Sequence, residues 1–433
     1  MKYYCIGIKG AGMSTLANIL SDLGNDVSGY DDTVKYKFTE EGLDKRGIKI
    51  YHEPHPIDSD TIVTYSKAFS IDHPEIKRVR ELGLTMRDYN QVVGDVTAMF
   101  ETIGISGTHG KTTTSLLISD ILKNTVGCNY FVGDGTGYAD KKNKLFVIES
   151  DEFNKHFLAY HPTIAVITNI ELDHTECYPG GLEEIKDTFK KFGNKAELVI
   201  ACGDDSNIRD IKFDKDVIYY GFNDNNNVVA KNVKLTDKGS EFDVYINNEL
   251  FDSYELPLFG KHMILNALAS IIIANRYNIN KEDIKKYISG FKGAKRRFKE
   301  EYINGYIIID DYAHHPTEIE VTIAAAKQKY PDKEIVAVFL PNTYSRTEAL
   351  MNDFVKALTK ADKAYIMDIY CDRERQSDYP SVNSDALIKR IKNSEKISID
   401  TVDKLLKHKG SVICFMSCTN IYLILDEFKK RIR

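Results

Sequence analysis

Residues 107–114 read GTHGKTTT, between the apolar segment IGIS and a helix-like run, SLLISDIL. A glycine-rich turn between strand and helix exposes backbone N–H groups, and the helix N-terminus adds its dipole, so the turn cradles polyanionic phosphate. Lys111 supplies a point charge for the outer phosphates and Thr112 a hydroxyl for Mg2+. The stretch is a variant of the general P-loop. Ile105 stands where the first glycine would fall, and the glycines are Gly104, Gly107 and Gly110. A solvated Gly/Thr turn is the plain alternative. It leaves unexplained a Gly-Lys-Thr that opens a helix directly after a buried strand. The expectation is an ATP or GTP site formed by Gly107, Thr108, His109, Gly110, Lys111, Thr112 and Thr113.

The strand–turn–helix alternation continues on both sides and predicts an α/β protein with doubly wound sheets. Upstream, YYCIGI is a strand, KGAGMSTLANILSDLG a loop and helix, and DVSGYDD, TIVTYS and LTM are later strands. The middle block starts near Ala98. Its strands LFVIESDEF and TIAVITNIELDH end in acidic residues and His, and 228–256 alternates with the short period of antiparallel hairpins. A third block begins around Arg296, with GAKRRFKE as the expected hinge. At 433 residues the chain is too long for one ordinary core. The expected domains are 1–97, 98–294 and 295–433.

Composition removes several functions. A hydrophobic fraction of 42% is ordinary for a soluble globular protein, and a net charge of -6 offers no basic footprint for nucleic acid. Seven cysteines without CxxC pairs argue against a disulfide framework or a zinc ribbon. Cys414 and Cys418 read as small apolar residues. No signal-peptide pattern and no membrane-length apolar run are visible, so a cytoplasmic protein without a membrane partner is expected.

GIKGAGMS occupies the place of a dinucleotide fingerprint, but its glycines are Gly7, Gly10 and Gly12, with Thr15 at the last glycine position. The pattern predicts a diphosphate-binding turn at Gly10, Gly12, Met13 and Ser14. UDP, NAD and FAD all carry a diphosphate. Asp31 is placed to meet a ribose hydroxyl, or is a solvated turn residue. In open α/β sheets ligands bind beyond the carboxyl ends of the strands. Glu149, Asp151, Glu152, Asp173 and His174 fall at such ends, and carboxylate with imidazole suits Mg2+ or Mn2+ held partly by substrate phosphate.

GIKGAGMS, GTHGKTTT, ESDEF with HFL, TNIELDH, GKHxxxNALA, RRF, DDYAHHPTE and LPNTYSRT occur in this order over nearly the whole chain. Through them the sequence resembles the Mur ligase family, most closely its alanine-adding members. The resemblance implies three domains: a Rossmann-like N-terminal unit, a central P-loop ATPase with a mainly parallel sheet and small antiparallel hairpins, and a Rossmann-like C-terminal unit. It implies ATP with Mg2+ or Mn2+, and UDP-N-acetylmuramic acid and L-alanine as substrates. The implied reaction is ATP-dependent amide ligation through an acyl phosphate in peptidoglycan precursor synthesis. A monomer or weak homodimer is expected.

By position, Lys111 matches the lysine on the γ-phosphate, Thr112 and Glu149 metal ligands, and His174 a second-metal ligand. His262 and Asn266 match the base-binding segment, and Arg297 an arginine that reaches the ATP phosphates. Asp310, Asp311, Tyr312, His314 and His315 match a motif facing nucleotide and incoming amine, with Asp310 on the nucleotide side. Arg346 matches an arginine for substrate carboxylate or phosphate. Lys111, His174, Arg297, His315 and Arg346 form the expected catalytic set. His109 either touches substrate or packs the loop.

Three positions depart from the family pattern. Met263 replaces an asparagine of the base segment. Leu340, Pro341 and Asn342 stand where Gln-Pro-His is usual. Ser417, Cys418 and Thr419 stand where a Gly-Ala-Gly loop is expected. These changes leave the amine acceptor open, so a sibling ligase for another amino acid or a peptide is one alternative. A catalytically weakened nucleotide-binding paralogue is a second. A nicotinamide oxidoreductase is a third, and it leaves GTHGKTTT unexplained.

Overall fold

The computed structural model describes residues 1–371 and 374–433 and contains three sheets in succession along the chain. The first holds β1 (Lys2–Ile6), β2 (Asp26–Tyr30), β3 (Lys49–Tyr51), β4 (Thr61–Tyr65) and β5 (Thr85–Asp88), all parallel, in the order β3-β2-β1-β4-β5. The order reverses at β1, so the crevice beyond its carboxyl end receives the glycine turn at residues 7–12.

The second sheet has ten strands: β6 (Glu101–Ser106), β7 (Cys128–Val132), β8 (Thr136–Tyr138), β9 (Leu145–Glu149), β10 (Ile164–Ile167), β11 (Leu198–Cys202), β12 (Asp216–Gly221), β13 (Val228–Thr236), β14 (Gly239–Ile246) and β15 (Glu249–Leu256). They lie in the order β15-β14-β13-β12-β11-β10-β6-β9-β7-β8. The middle strands are parallel and covered on both faces, which is why IAVI and LVIAC are buried along their whole length. The expected hairpins over 228–256 are a meander. They extend this same sheet, because β12 pairs in parallel with β13. A second hairpin, β7–β8, closes the other edge. Its three-residue strand TGY is too short to carry a period, which is why no hairpin is expected there.

The third sheet contains β16 (Lys299–Ile303), β17 (Tyr306–Asp311), β18 (Ile335–Phe339), β19 (Lys363–Ile366), β20 (Ser394–Lys396) and β21 (Val412–Met416), in the order β16-β17-β21-β18-β19-β20. Only β16 is antiparallel. It begins inside the stretch read as hinge, so the irregular connection ends at Phe298 and not at Glu300. Arg296 and Phe298 there have φ of 54° and 51°. This conformation is uncommon for residues with a Cβ, and here it turns the chain into the third unit.

Packing divides the molecule unevenly. Core residues of the first unit (Leu16, Ile19, Val92) and of the second (Phe131, Phe157, Ile264) belong to one continuous apolar cluster. The third unit buries both faces of its own sheet separately. Its boundary with the second unit is bridged by hydrogen bonds and ion pairs, the kind of interface across which domains move.

Candidate active site

The phosphate-loop stretch follows β6 and opens the helix Lys111–Lys123, as the sequence indicated. Gly107 has φ of 138°, and a Cβ there would lie 2.0 Å from Thr168 Oγ1. Gly110 caps the helix at φ 84°, with Asn266 Oδ1 only 2.8 Å from where a Cβ would stand. Only glycine fits either position. The loop is braced from behind by the TNIE segment. Thr108 N donates to Asn169 O (3.0 Å), His109 N to Asn169 Oδ1 (2.8 Å), and Thr168 Oγ1 to His109 O (2.6 Å). The N–H groups of the first helical turn have no intrahelical partner, which leaves them for an anion.

Lys111 Nζ donates to Gly107 O (2.6 Å) and to Glu152 Oε1 (2.9 Å). Burial opposes its charge, but Glu152 more than compensates and raises its pKa. Thr112 Oγ1 donates to Glu149 Oε1 at 2.9 Å, and Gly133 N donates to the other oxygen at 2.7 Å. Burial raises the Glu149 pKa, so the site carries negative charge at a cost that a cation would relieve. Hydroxyl and carboxylate oxygens are hard donors suited to Mg2+. The side chains of Thr112 and Glu149 therefore fit the ion the resemblance implies. His174, at φ 51°, sets Nε2 3.9 Å from Glu152 Oε1 and 3.8 Å from Asp173 Oδ2, on the same side of the loop.

A cavity runs from this loop into the boundary with the third unit. His262, Met263 and Asn266, from the helix Lys261–Arg276, form one wall, and Arg297, Asp311 and Glu318 another. Burial, with Arg297 nearby, lowers His262 to about 4, so its ring is neutral. Met263 lines the cavity where the family pattern has an amide. A thioether there offers packing to a flat ring, without a directional bond.

Across the boundary, Arg346 Nε and Nη2 both donate to Asp173 Oδ1, at 3.0 and 2.9 Å. Burial raises the Asp173 pKa, but Arg346 outweighs it and holds the carboxyl well below its usual range. Thr343, just before the helix that carries Arg346, has φ of 66°. A β-branched residue in this region is strained, and such strain collects where a side chain must be aimed. Glu374 steadies the same turn by accepting from Tyr344 N and Ser345 N. His315 caps the helix Pro316–Lys329 and is 4% exposed. Burial, then the charge of His109, lowers it to about 4. His109 itself is raised to about 9: burial opposes its charge, and Glu318 and Glu171 override that.

The cavity brings together His109, Gly110, Thr112, Thr113, His262, Asn266 and Arg297. Glu149 adjoins it through Thr112 and His315 through Glu171, while His174 and Arg346 line a smaller pocket beside Asp173. Asp310 is placed elsewhere. Neighbouring side chains on a strand point to opposite faces, and Asp310 accepts from Tyr422 OH (3.0 Å) while Asp311 lines the cavity. Asp311 also accepts from Phe298 N and Ala313 N, which fixes the hinge. The diphosphate-turn residues lie apart, at the end of β1. Gly10 caps the helix Ala11–Asp22, Gly12 lies against Tyr89, and Met13 is buried in the core. Ser14 Oγ is bonded to Ala11 O (3.0 Å) and its N–H to Gly10 O (2.8 Å), and Gly10 N donates to Gly7 O (3.0 Å), so of the four expected residues Gly12 and Met13 offer main-chain amides to a ligand. Asp31 does not present a free carboxylate to a ribose. Its two oxygens accept from Lys9 N and Thr33 N, both at 3.0 Å. Glu171 and Glu318 have central places here that the sequence reading did not assign, although both sit inside the quoted motifs TNIELDH and DDYAHHPTE.

Three family descriptions match in succession: "Mur ligase family, catalytic domain" over residues 2–101, "Mur ligase middle domain" over 105–274, and "Mur ligase, glutamate ligase domain" over 296–417. A UDP-N-acetylmuramate--L-alanine ligase from Lactiplantibacillus plantarum is 41% identical over 426 residues, covering 97% of this chain and 96% of that protein. A ligase of the same name from Ligilactobacillus salivarius is 42% identical, covering 97% and 94%. The crystal structure of a UDP-N-acetylmuramate-alanine ligase from Thermotoga maritima superposes with a TM-score of 0.80 at 25% identity, covering 100% of this chain and 99% of that one.

Proposed function

This chain belongs to the Mur ligase family, and on that footing we propose that it joins the carboxylate of UDP-N-acetylmuramic acid to the amine of L-alanine at the expense of ATP, in peptidoglycan precursor synthesis. A carboxylate is a poor electrophile because its leaving group would be oxide. In the proposed course, a carboxylate oxygen attacks the γ-phosphorus of ATP and ADP leaves. The amine nitrogen then attacks the acyl carbon, inorganic phosphate departs, and the nitrogen loses its proton.

The observation that supports this reading is that the third unit meets the phosphate-loop side of the central one: Arg297 and Glu318 line the cavity beside the loop, His315 faces Glu171, and Arg346 pairs with Asp173. Loop amides and Lys111 bind the ATP phosphates. Glu152 keeps the lysine charged and oriented, and Arg297 adds positive charge from the hinge side. The neutral His262 with Met263 and Asn266 receives the base. The turn at Gly10–Ser14 holds the diphosphate of the sugar nucleotide, through the amides of Gly12 and Met13. Thr112 and Glu149 would hold one Mg2+ and His174 a second, which would neutralise phosphate charge when bound. Arg346 and His315 line the side from which the amine enters.

Water would hydrolyse an acyl phosphate, so the cleft must close around it. Asp173–Arg346 and Glu171–Thr317 serve as contacts of the closed form. The division into three sheets, with a separate core for the third, supports domains of 1–97, 98–294 and 295–433. No helix among the described residues is long and apolar enough to cross a membrane. The cytoplasm, where ATP is plentiful, is the proposed location, and a monomer or weak dimer the proposed state.

The test is ADP release with UDP-N-acetylmuramate and each amino acid in turn, with the product mass identified. L-Alanine should give turnover and a product heavier by one alanyl residue. Turnover only with other amines would assign the chain to a sibling activity. No turnover with any amine would reject ligation.

A further inference from the structure

His109, Glu171 and His315 each bring one ligand atom to a common point, with all three atoms within 4.8 Å of one another. His109 Nε2 lies 3.4 Å from Glu171 Oε2, and His315 Nδ1 lies 3.4 Å from the same oxygen. Donors about 2.1 Å from a tetrahedral ion stand roughly 3.4 Å from each other. Two edges of the triangle therefore already have the span a bound ion requires.

Contacts behind the three side chains orient them toward that point. His109 Nδ1 faces Glu318 Oε1 at 3.4 Å. Carboxylates on both sides keep His109 protonated, so an ion binding at Nε2 displaces that proton, and Glu318 then holds the Nδ1–H, the outer-shell arrangement of metal-bound histidines. His109 Nε2 is buried and has no hydrogen-bond partner. His315 Nδ1 accepts a long bond, 3.4 Å, from Thr317 N, so an ion binding there has only this weak bond to displace from its single lone pair. Glu171 is itself oriented by Thr317 Oγ1 at 2.6 Å.

We propose that His109, Glu171 and His315 form a site for Zn2+ or a cation of similar softness, distinct from the oxygen-rich Thr112–Glu149 position. Two imidazoles and one carboxylate favour Zn2+ over Mg2+, and leave a fourth position for water. His109 and Glu171 belong to the central unit and His315 to the C-terminal one. A bound ion would therefore tie the two together in the closed form and slow turnover, since substrates enter and products leave through that boundary. The proposal needs only the three side chains. It stands whether or not the ligase reading above is correct, because binding is measured without turnover.

The experiment titrates the full chain with Co2+ in excess Mg2+ and follows the visible ligand-field absorption of tetrahedral cobalt. One equivalent should bind, and Zn2+ should displace it. Glu171→Gln keeps the side-chain volume and should weaken binding at least about tenfold, as should His315→Ala; Glu318→Gln, which acts through His109, should weaken it about tenfold. Thermal melting checks the fold, and Glu171→Gln decides the matter should His315→Ala misfold. Zn2+ should also raise the melting temperature of the wild type but not of Glu171→Gln. Three results would overturn the site: no tetrahedral band in the wild type, equal affinity in Glu171→Gln, or an intense sulfur-to-cobalt charge-transfer band placing the ion on cysteine.

Discussion

Arg346 of the C-terminal unit donates through Nε and Nη2 to a single oxygen, Oδ1 of Asp173 in the central unit. Asp173 is buried and Arg346 nearly so, at 8% and 11% exposure. Removing one partner leaves the other charge buried and unpaired. For hydrogen-bonded pairs across an interface that costs on the order of 2–5 kcal/mol. Arg346→Ala should therefore lower kcat/KM about 100-fold and leave the melting transition of the first two units nearly unchanged. Asp173→Asn should act in the same direction. Steady-state kinetics with calorimetry checks this, and an unaltered kcat/KM would remove the pair from the closing mechanism.

Gln328 makes three bonds across the same boundary. Its Nε2 donates to Thr236 O (3.0 Å) and Gly239 O (2.9 Å), and its Oε1 accepts from Gly260 N (2.8 Å). Gly260 starts the helix that carries His262 and Asn266. The residue therefore links closure to the base pocket. Leaving such groups unpartnered costs about 1–3 kcal/mol. Gln328→Ala should raise the KM for ATP about tenfold with little change in kcat. Gln328→Glu should be no better, because a carboxylate cannot donate to the two carbonyls. Equal KM values in wild type and Gln328→Ala would exclude the link.

Asp311 makes stability depend on pH. Burial, opposed by Arg297 and two backbone amides, raises it from 3.8 to about 6. The folded chain binds this proton more tightly than the unfolded chain. Its stabilising contribution is complete below pH 3.8 and is lost as pH rises through about 6. The loss is on the order of 3 kcal/mol. Asp311→Asn should flatten the stability profile between pH 4 and 7, measured by denaturant unfolding. A variant profile parallel to that of the wild type would contradict the assignment.

Two of the three departures from the family pattern touch each other. Asn342 Nδ2 lies 3.0 Å from Cys418 Sγ. Neither change could be interpreted alone from the sequence, because 76 positions separate them. Side by side they form one altered patch near Arg346. A double-mutant cycle on Asn342→His and Cys418→Ala should give a coupling of about 0.5–1 kcal/mol in the KM for L-alanine. Additive effects would show that the two side chains act independently of one another.

The parts legible in the sequence were those in which chemistry and local structure demand the same residues. Gly107 and Gly110 mark the loop because no Cβ fits there, and Lys111 because a helix opens on it. Strands such as IAVI and LVIAC show themselves by continuous apolar runs. What stayed hidden depends on contacts distant in the chain. Asp310 and Asp311 are identical side chains in adjacent positions, and only the strand's pleat decides which one faces the cavity. Asp31 ends a strand in the place of a ribose ligand, but the turn beneath it consumes both its oxygens. Glu171 and Glu318 are ordinary acids until folding sets them beside His109. The β7–β8 hairpin and β16 are too short to register a period.

The central claim is that the sugar acid is activated by phosphoryl transfer before the amine attacks. The direct measurement uses UDP-N-acetylmuramate labelled with oxygen-18 in its carboxylate, turned over with ATP and L-alanine, with the inorganic phosphate analysed by mass or by phosphorus NMR. One labelled oxygen should appear in the phosphate for each amide formed. Phosphate free of label, with amide accumulating at the normal rate, would contradict the account.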